Sequence, residues 1–458
     1  MPFVLILVGV FILLSDQPVL MACSLLAYIP VFRVFWKDGE PKTILFGLTF
    51  FWLSITIKLF YAVFAGVPYE NLSKSSNIIY TSYLTLIAFL VFSYGIYITT
   101  INAREKNIID FNEDFGYSFR RILFVFVGAS VAVFILKGFV FFFTGLDQLV
   151  YAFIDLKLGF IFLLLYFTFS KKNTIPFVVA ILTVEVILSF FSFFASFKDI
   201  LFTVLIILAA PKIKLTLKNI VVFSVLIILT FSLLLKWQAV KGDYRAFLNK
   251  GSRTSQAVEV SQSEALDKLQ ELSEKKLNLT EDKNLVYESI DRVSYIQFFS
   301  EAILNVPSLI PFENGKLWAA NIAHIFLPRA FFPDKASIDD SQMVNKYCVR
   351  KVATAKMGVS FSLGFVAESY IDFGPVLMFP VILLVGCLLG FIYAQILTQS
   401  INYVWGYSMV VGLWTKINCN GTAGSKILGW IITYYIAFFI FKKFLMKPLD
   451  NYLRTGKF

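Results

Sequence analysis

The chain is short of charge and of the residues that most metal and acid–base enzymes rely on. Only 16% of its 458 residues are Asp, Glu, Lys or Arg, and it has one histidine and four cysteines. A soluble domain carries about 25% charged residues, which excludes a cytosolic globular protein. His324, being alone, cannot belong to a histidine-rich metal site, and no cysteine or acidic cluster has zinc spacing. Asp339-Asp340 is a candidate for a divalent ion, and no other is apparent. No Walker A pattern and no dinucleotide fingerprint occurs, so neither a nucleotide cofactor nor a nucleic-acid partner is expected. The first apolar stretch lacks the basic flank and small-residue cleavage site of a secretory signal, so it is kept as a helix.

What is present in abundance is apolar, 58% of the residues with 52 Phe. Apolar runs fall at 3–14, 18–36, 43–65, 78–101, 120–144, 149–170, 175–196, 199–211, 219–237, 374–397, 402–417 and 426–445, twelve candidate spans. Runs of about 20 residues exclude an outer-membrane barrel, whose strands are about half that length. The pattern predicts an all-α polytopic membrane protein of about 12 transmembrane helices. Lysine and arginine gather in alternate loops, at Arg33 and Lys37, at Arg104 and Lys106, at Lys171 and Lys172, at Lys212 and Lys214, and after 445. The positive-inside rule then puts both termini in the cytoplasm and turns the long connection outward. The expected division is 1–237 with helices one to nine, an outer loop 238–373, helices ten to twelve at 374–445, and a tail 446–458.

The outer loop reads as structure. Residues 251–285 are polar, with Leu266, Leu269, Leu272 and Leu279 at helical spacing, which fits an amphipathic or partly disordered excursion. The stretches 295–299 and 315–328 are too apolar for a solvated loop and too short to span, so they are expected to lie along the membrane interface and cap a cavity. Cys348 and Cys419 both fall on the outer side, where a disulfide between them would persist.

Six lysines lie in or at the ends of spans: Lys58, Lys137, Lys157, Lys236, Lys416 and Lys426. Under the assigned orientation all are in the outer half, with Lys198 at the turn between spans seven and eight. Asp155 and Asp199 offset two of them. The surplus points to an anionic ligand at the outer leaflet, the alternative being long side chains that reach to the surface. Lys241 and Arg245, four apart, share a helix face, and Arg292 and Arg329 punctuate the interfacial stretches. Arginine grips phosphate oxygens in pairs, so a diphosphate is the candidate ligand, with anionic lipid binding as the chemistry-free alternative. Among the acids, Glu185 is mid-span. Glu368 and Asp372 stand at i and i+4 in Gly364-Phe365-Val366-Ala367-Glu368-Ser369-Tyr370-Ile371-Asp372-Phe373-Gly374, where either is placed to act as a general base.

Leu327-Pro328-Arg329-Ala330-Phe331-Phe332-Pro333-Asp334-Lys335, followed by the Gly364–Gly374 stretch leading into a span, resembles the Wzy-type polymerases, also called O-antigen or oligosaccharide repeat unit polymerases. The resemblance extends over the whole architecture, through short motifs. It departs from the family pattern around Asp372 and Pro375, where Asn and a second Gly are usual. It implies a GT-C-like glycosyltransferase of the bacterial inner membrane, making O-antigen of lipopolysaccharide or a related surface polysaccharide at the periplasmic face. Its partners would be undecaprenyl-diphosphate-linked glycans and membrane lipids, with no cofactor; binding of a chain-length regulator stays open. Glu368 is then the first choice of base and His324 the second. Arg329, Lys335, Lys241, Arg245, Arg292 and Lys198 would hold the diphosphate. Tyr370, Trp318 and Tyr244 would stack on sugars, with core packing as the other role. A polysaccharide ligase, a lipid-linked oligosaccharide flippase, and an ion-coupled transporter using Glu185 remain the alternatives.

Overall fold

The structure, a computed structural model, describes residues 9–73, 77–110, 113–139, 146–190, 197–211, 217–251, 258–275, 283–327, 332, 335, 339–352 and 360–457. Among them the chain is helical, with no strand. The helices are α1 Pro18–Phe35, α2 Thr43–Ala65, α3 Ile78–Lys106, α4 Phe119–Phe139, α5 Asp147–Ser170, α6 Ile175–Phe190, α7 Phe197–Leu208 and α8 Leu217–Leu248. Then come α9 Gln262–Lys275, α10 Lys283–Val293, α11 Ile296–Asn305, α12 Lys316–Phe326 and α13 Asp340–Tyr347. The chain closes with α14 Phe365–Gln399, α15 Tyr403–Val411, α16 Trp414–Ile417, α17 Gly424–Phe441 and α18 Lys447–Thr455.

Among the described residues, seven helices are long and apolar enough to cross a membrane: α1 to α5, α14, and the run from α17 into α18. Twelve apolar runs were expected, and these seven are the helices among the described residues that meet both conditions. The expected spans at 175–196 and 199–211 are α6 and α7, of 16 and 12 residues. At about 1.5 Å per residue neither matches a hydrocarbon core of about 30 Å by itself. The run 402–417 divides into α15 and α16 across Gly412 and Leu413, and Val404–Val411 are all buried. This run is apolar on every side because protein surrounds it. The expected span 219–237 is the first part of α8, which continues to Leu248, and most of 3–14 lies outside the described residues.

The pairing of α3 with α14 sets the frame. A Cβ on Gly386 would stand 2.4 Å from the Phe92 carbonyl, one on Gly95 would stand 2.6 Å from the Leu383 carbonyl, and one on Gly390 would stand 2.9 Å from the Ile96 Cα. These small residues let two backbones touch, which is how helices associate where no hydrophobic force separates them from lipid. The contacts advance together along both helices, so α3 and α14 run parallel.

Gly374 breaks α14. Its φ of 74° lies in the region open to glycine, and Pro375 supplies no N–H to bridge the break. The nine residues before it form a separate segment carrying Glu368 and Asp372. Helices of the 238–373 segment close over this end: α10 packs on α2 and α8, α11 on α3 and α14, and α12 on α14 and α17. The expected excursion at 251–285 contains α9, which lays Ala265 and Leu272 on Val240, Tyr244 and Leu248 of α8 in a small core of its own.

All four cysteines are free, and the Cys348 thiol donates to the Phe298 carbonyl at 3.2 Å. The disulfide expectation is therefore withdrawn. The lysine surplus shrinks too, because carboxylates from distant segments meet the ammonium groups. Lys58 pairs with Asp291, Lys157 with Glu185, Lys416 with Asp155 and Lys426 with Asp340. Glu185 also accepts from the Ser130 hydroxyl at 2.7 Å, so it is an ion-paired carboxylate.

Candidate functional site

Glu368 sits in the short segment before the Gly374 break and is 4% exposed. Both of its hydrogen bonds fall on Oε2, from the Asn321 amide at 3.0 Å and from the Gly424 backbone N–H at 2.9 Å. Oε1 is left for another partner. Gly424 opens α17, so the carboxylate also faces the positive end of a helix. His324 stands one turn beyond Asn321 on α12, half-buried, and its backbone carbonyl accepts from the Lys335 ammonium. The structure thus brings Glu368, His324 and Lys335 to one neighbourhood around α12. Arg329 and Asp334 lie outside the described residues.

Asp372 has a different task. It takes the N–H of Leu317 on Oδ1 at 3.0 Å and the N–H of Trp318 on Oδ2 at 2.8 Å. These are first-turn donors of α12, so Asp372 is the acceptor that the start of that helix needs. Asp372→Ala is expected to lower stability by about 1–2 kcal/mol, read by thermal unfolding in detergent. It should also loosen the placement of Asn321 against Glu368.

The proposed divalent-ion pair is taken up by the fold. Asp339 caps α13 by accepting from the Ser341 N–H at 3.1 Å, and Asp340, 2% exposed, pairs with Lys426. No group of three or more metal-ligating side chains occurs among the described residues.

The second group is cationic. Lys241 and Arg245 lie on α8 a turn or more past its apolar run, Arg292 is in the last turn of α10, and Lys198 is in the first turn of α7. Burial first, then the like charges of Arg292, Arg245 and Lys198, push the Lys241 ammonium down to about 8. Burial and then Arg292 likewise lower the Arg245 guanidinium. The packing of α10 on α8, and of Phe197 beside Lys198 on Trp237 of α8, brings four of the six residues singled out for diphosphate into one region from three helices far apart in sequence. Arg292 follows Asp291, the partner of Lys58 in the second half of α2. The cations therefore stand at the end of the bundle that carries Glu368.

The three aromatic candidates are packed inward. Trp318 donates its indole N–H to Ser369 at 3.1 Å, the Tyr370 hydroxyl donates to the Val306 carbonyl at 3.2 Å between Phe299 and Phe312, and the Tyr244 hydroxyl donates to the Phe190 carbonyl at 3.0 Å against Trp237. They are 6%, 4% and 1% exposed, which is the core-packing role. Sequence reasoning missed Asn321 and the Gly424 N–H as partners of Glu368, and named Lys426 without its partner Asp340. Asn321 alone left a trace, as a polar residue three before His324 in an apolar helix; a backbone donor leaves none.

The family model described as "Domain of unknown function (DUF8712)" matches residues 46–449, which takes in both groups. No curated protein and no solved structure matches the chain.

Proposed function

We propose, for a chain that belongs to the DUF8712 family, a membrane-embedded glycosyltransferase that joins lipid-diphosphate-linked oligosaccharide repeat units into a polysaccharide. The observation that carries this reading is the convergence of Lys198, Lys241, Arg245 and Arg292 at the same end of the bundle as a carboxylate with one oxygen to spare. Fixed cations suit a leaving diphosphate, on which negative charge builds in the transition state. In the reaction, the acceptor hydroxyl oxygen bonds to the anomeric carbon of the growing chain. The bond from that carbon to the diphosphate oxygen breaks, its electron pair leaving with the lipid diphosphate. Glu368 Oε1 takes the hydroxyl proton, with His324 as the second candidate. On this reading the end carrying Glu368 faces the periplasm of a bacterial inner membrane, the architecture is GT-C-like, and the carrier is undecaprenyl diphosphate. Lys335, near His324, and Arg329 would complete the anion site.

The test is reconstitution with a defined lipid-linked repeat unit. Formation of chains longer than one repeat supports polymerase. Transfer only to a different lipid acceptor would show a ligase, and movement of the glycan lipid without bond formation would show a flippase.

The cationic group makes its own prediction. Lys241 normally titrates near 10.5 and is held at about 8 by burial and its neighbours. A bound anion restores the proton, so binding takes up a proton between those values, and affinity for a lipid diphosphate should fall as pH rises through about 8. Lys241→Arg should flatten that profile, since arginine stays charged. Arg292→Ala should weaken binding by about tenfold, the scale of one lost charge-assisted hydrogen bond. Titration of a fluorescent lipid diphosphate into nanodisc-held protein measures both, and an unaltered pH profile in Lys241→Arg would remove Lys241 from the site.

A further inference from the structure

At the opposite end of the bundle, the N-terminus of α2 is buried and lacks a cap. Thr43, Ile44 and Leu45 are 0%, 3% and 5% exposed, and no side chain caps the helix at Lys42. The N–H groups of these three residues meet no acceptor among the described residues. Buried helix starts normally have acceptors for such groups, because an unpaired buried N–H costs about as much as a lost hydrogen bond.

The side chains around this end are also short of acceptors. The Thr43 hydroxyl has no partner among the described residues, nor does Nη1 of Arg104, which is 2% exposed. Arg104 gives its Nε and Nη2 to the Glu40 carboxylate and leaves Nη1 over. Lys42 is 4% exposed, and among the described residues its ammonium donates to the carbonyls of Lys37 and Glu40. Burial dominates its titration and takes it down to about 8, against the pull of Glu40 and Asp38 and with Arg104 adding repulsion. Two buried cations thus face one buried carboxylate, Asp38 being exposed. The Glu40 carboxylate is further engaged by the Tyr407 hydroxyl at 3.3 Å. The end of α7 closes the place from one side, with the Ile206 carbonyl on the Lys42 N–H and the Ala210 carbonyl on the Gly39 N–H.

The unsatisfied groups here are donors and a hydroxyl that can donate. A water molecule would accept at most two of these hydrogen bonds and leave the positive charge unbalanced. We infer that the N-terminus of α2 binds a small inorganic anion, held by the Thr43 hydroxyl, the first-turn N–H groups, and the charges of Lys42 and Arg104. Backbone donors and the positive end of a 23-residue helix form the anion-binding arrangement known at helix starts, and here two buried side-chain atoms without a partner among the described residues, the Thr43 hydroxyl and Arg104 Nη1, call for the same ligand. The site lies at the far end of α2 from Lys58, roughly 20 Å away at about 1.5 Å per residue, so it is independent of the glycosyl-transfer reading.

The experiment follows thermal unfolding of the full chain in nanodiscs while chloride or inorganic phosphate replaces gluconate at constant ionic strength. A saturable rise in unfolding temperature with either anion is expected. Its midpoint should move about tenfold higher in Thr43→Val, which keeps the shape and deletes one hydrogen bond, and the rise should vanish in Lys42→Met. Bromide should give an anomalous or density peak beside Thr43. A response to chloride alone identifies a monatomic ion, and one to phosphate alone an oxyanion. Equal unfolding temperatures in all three salts would overturn the inference, as would a rise that Thr43→Val leaves unchanged. Thr43→Val keeps the test decisive if Lys42→Met does not fold.

Discussion

Glu368→Gln should cut polysaccharide formation by about 10²- to 10⁴-fold, the usual contribution of a positioned general base, with the protein still folded in the membrane. Glutamine has the same volume, and its amide carbonyl can take over the hydrogen bonds that Oε2 accepts from Asn321 and the Gly424 N–H. What changes is the other atom, where an NH₂ group replaces the oxygen that would receive the acceptor's proton. Transfer should therefore fail while unfolding temperature and lipid-diphosphate binding stay near those of the parent protein. The product ladder from reconstituted protein reads this directly. A normal ladder from Glu368→Gln would move the base to His324, and normal ladders from both Glu368→Gln and His324→Gln would leave the reaction without either.

The largest effect on folding is expected at the α3–α14 contact. A Cβ on Gly390 would stand 2.1 Å from the Thr99 hydroxyl and 2.9 Å from the Ile96 Cα and carbonyl, and one on Gly386 would stand 2.4 Å from the Phe92 carbonyl. The Thr99 hydroxyl can rotate away, whereas the backbone atoms can retreat only if the helices part. Gly386→Leu should then cost about 3 kcal/mol or more, at the upper end for overpacking, and Gly390→Leu a similar amount. Because α14 carries Glu368 ahead of its break, and α11 rests on both α3 and α14, the cost should appear as lost activity as well as lower stability. Unfolding temperature and the monodisperse fraction after extraction measure it. Wild-type values for both variants would mean that the two helices do not touch here.

Much of the candidate site was legible in the residues themselves. Arginine and lysine at 198, 241, 245 and 292 stand out because charge near an apolar run is costly, and that cost is visible without coordinates. Glu368 stood out by its four-residue spacing from Asp372 just before a span. The partners of these groups were not visible. The lysines read as a surplus because their counter-charges lie far away in sequence, as with Lys58 and Asp291 or Lys426 and Asp340. Asp372 read as an alternative general base to Glu368 because a four-residue spacing shows a shared helix face and says nothing of what that face meets; it meets the bare N-terminus of α12. Trp318, Tyr370 and Tyr244 illustrate the same limit, since an aromatic that stacks on sugar and one that fills a core have the same sequence.

By itself, the amino-acid sequence determined that this is a helical chain built for a membrane, with a long connecting segment between its ninth apolar run and its last three. Composition and run length settle those points, because exposed backbone cannot survive in hydrocarbon and apolar residues must be buried in lipid or protein. Only the tertiary structure decided which of the described apolar runs form helices long enough to cross and which, like α15, are enclosed by protein. It also decided which charges are matched and which groups, the Oε1 acceptor of Glu368 and the donors around Thr43, remain to be used. The reason is that hydrophobicity is a property of each residue, whereas satisfaction of a charge or hydrogen bond belongs to a pair, and most of these pairs are formed by residues the chain brings together only on folding.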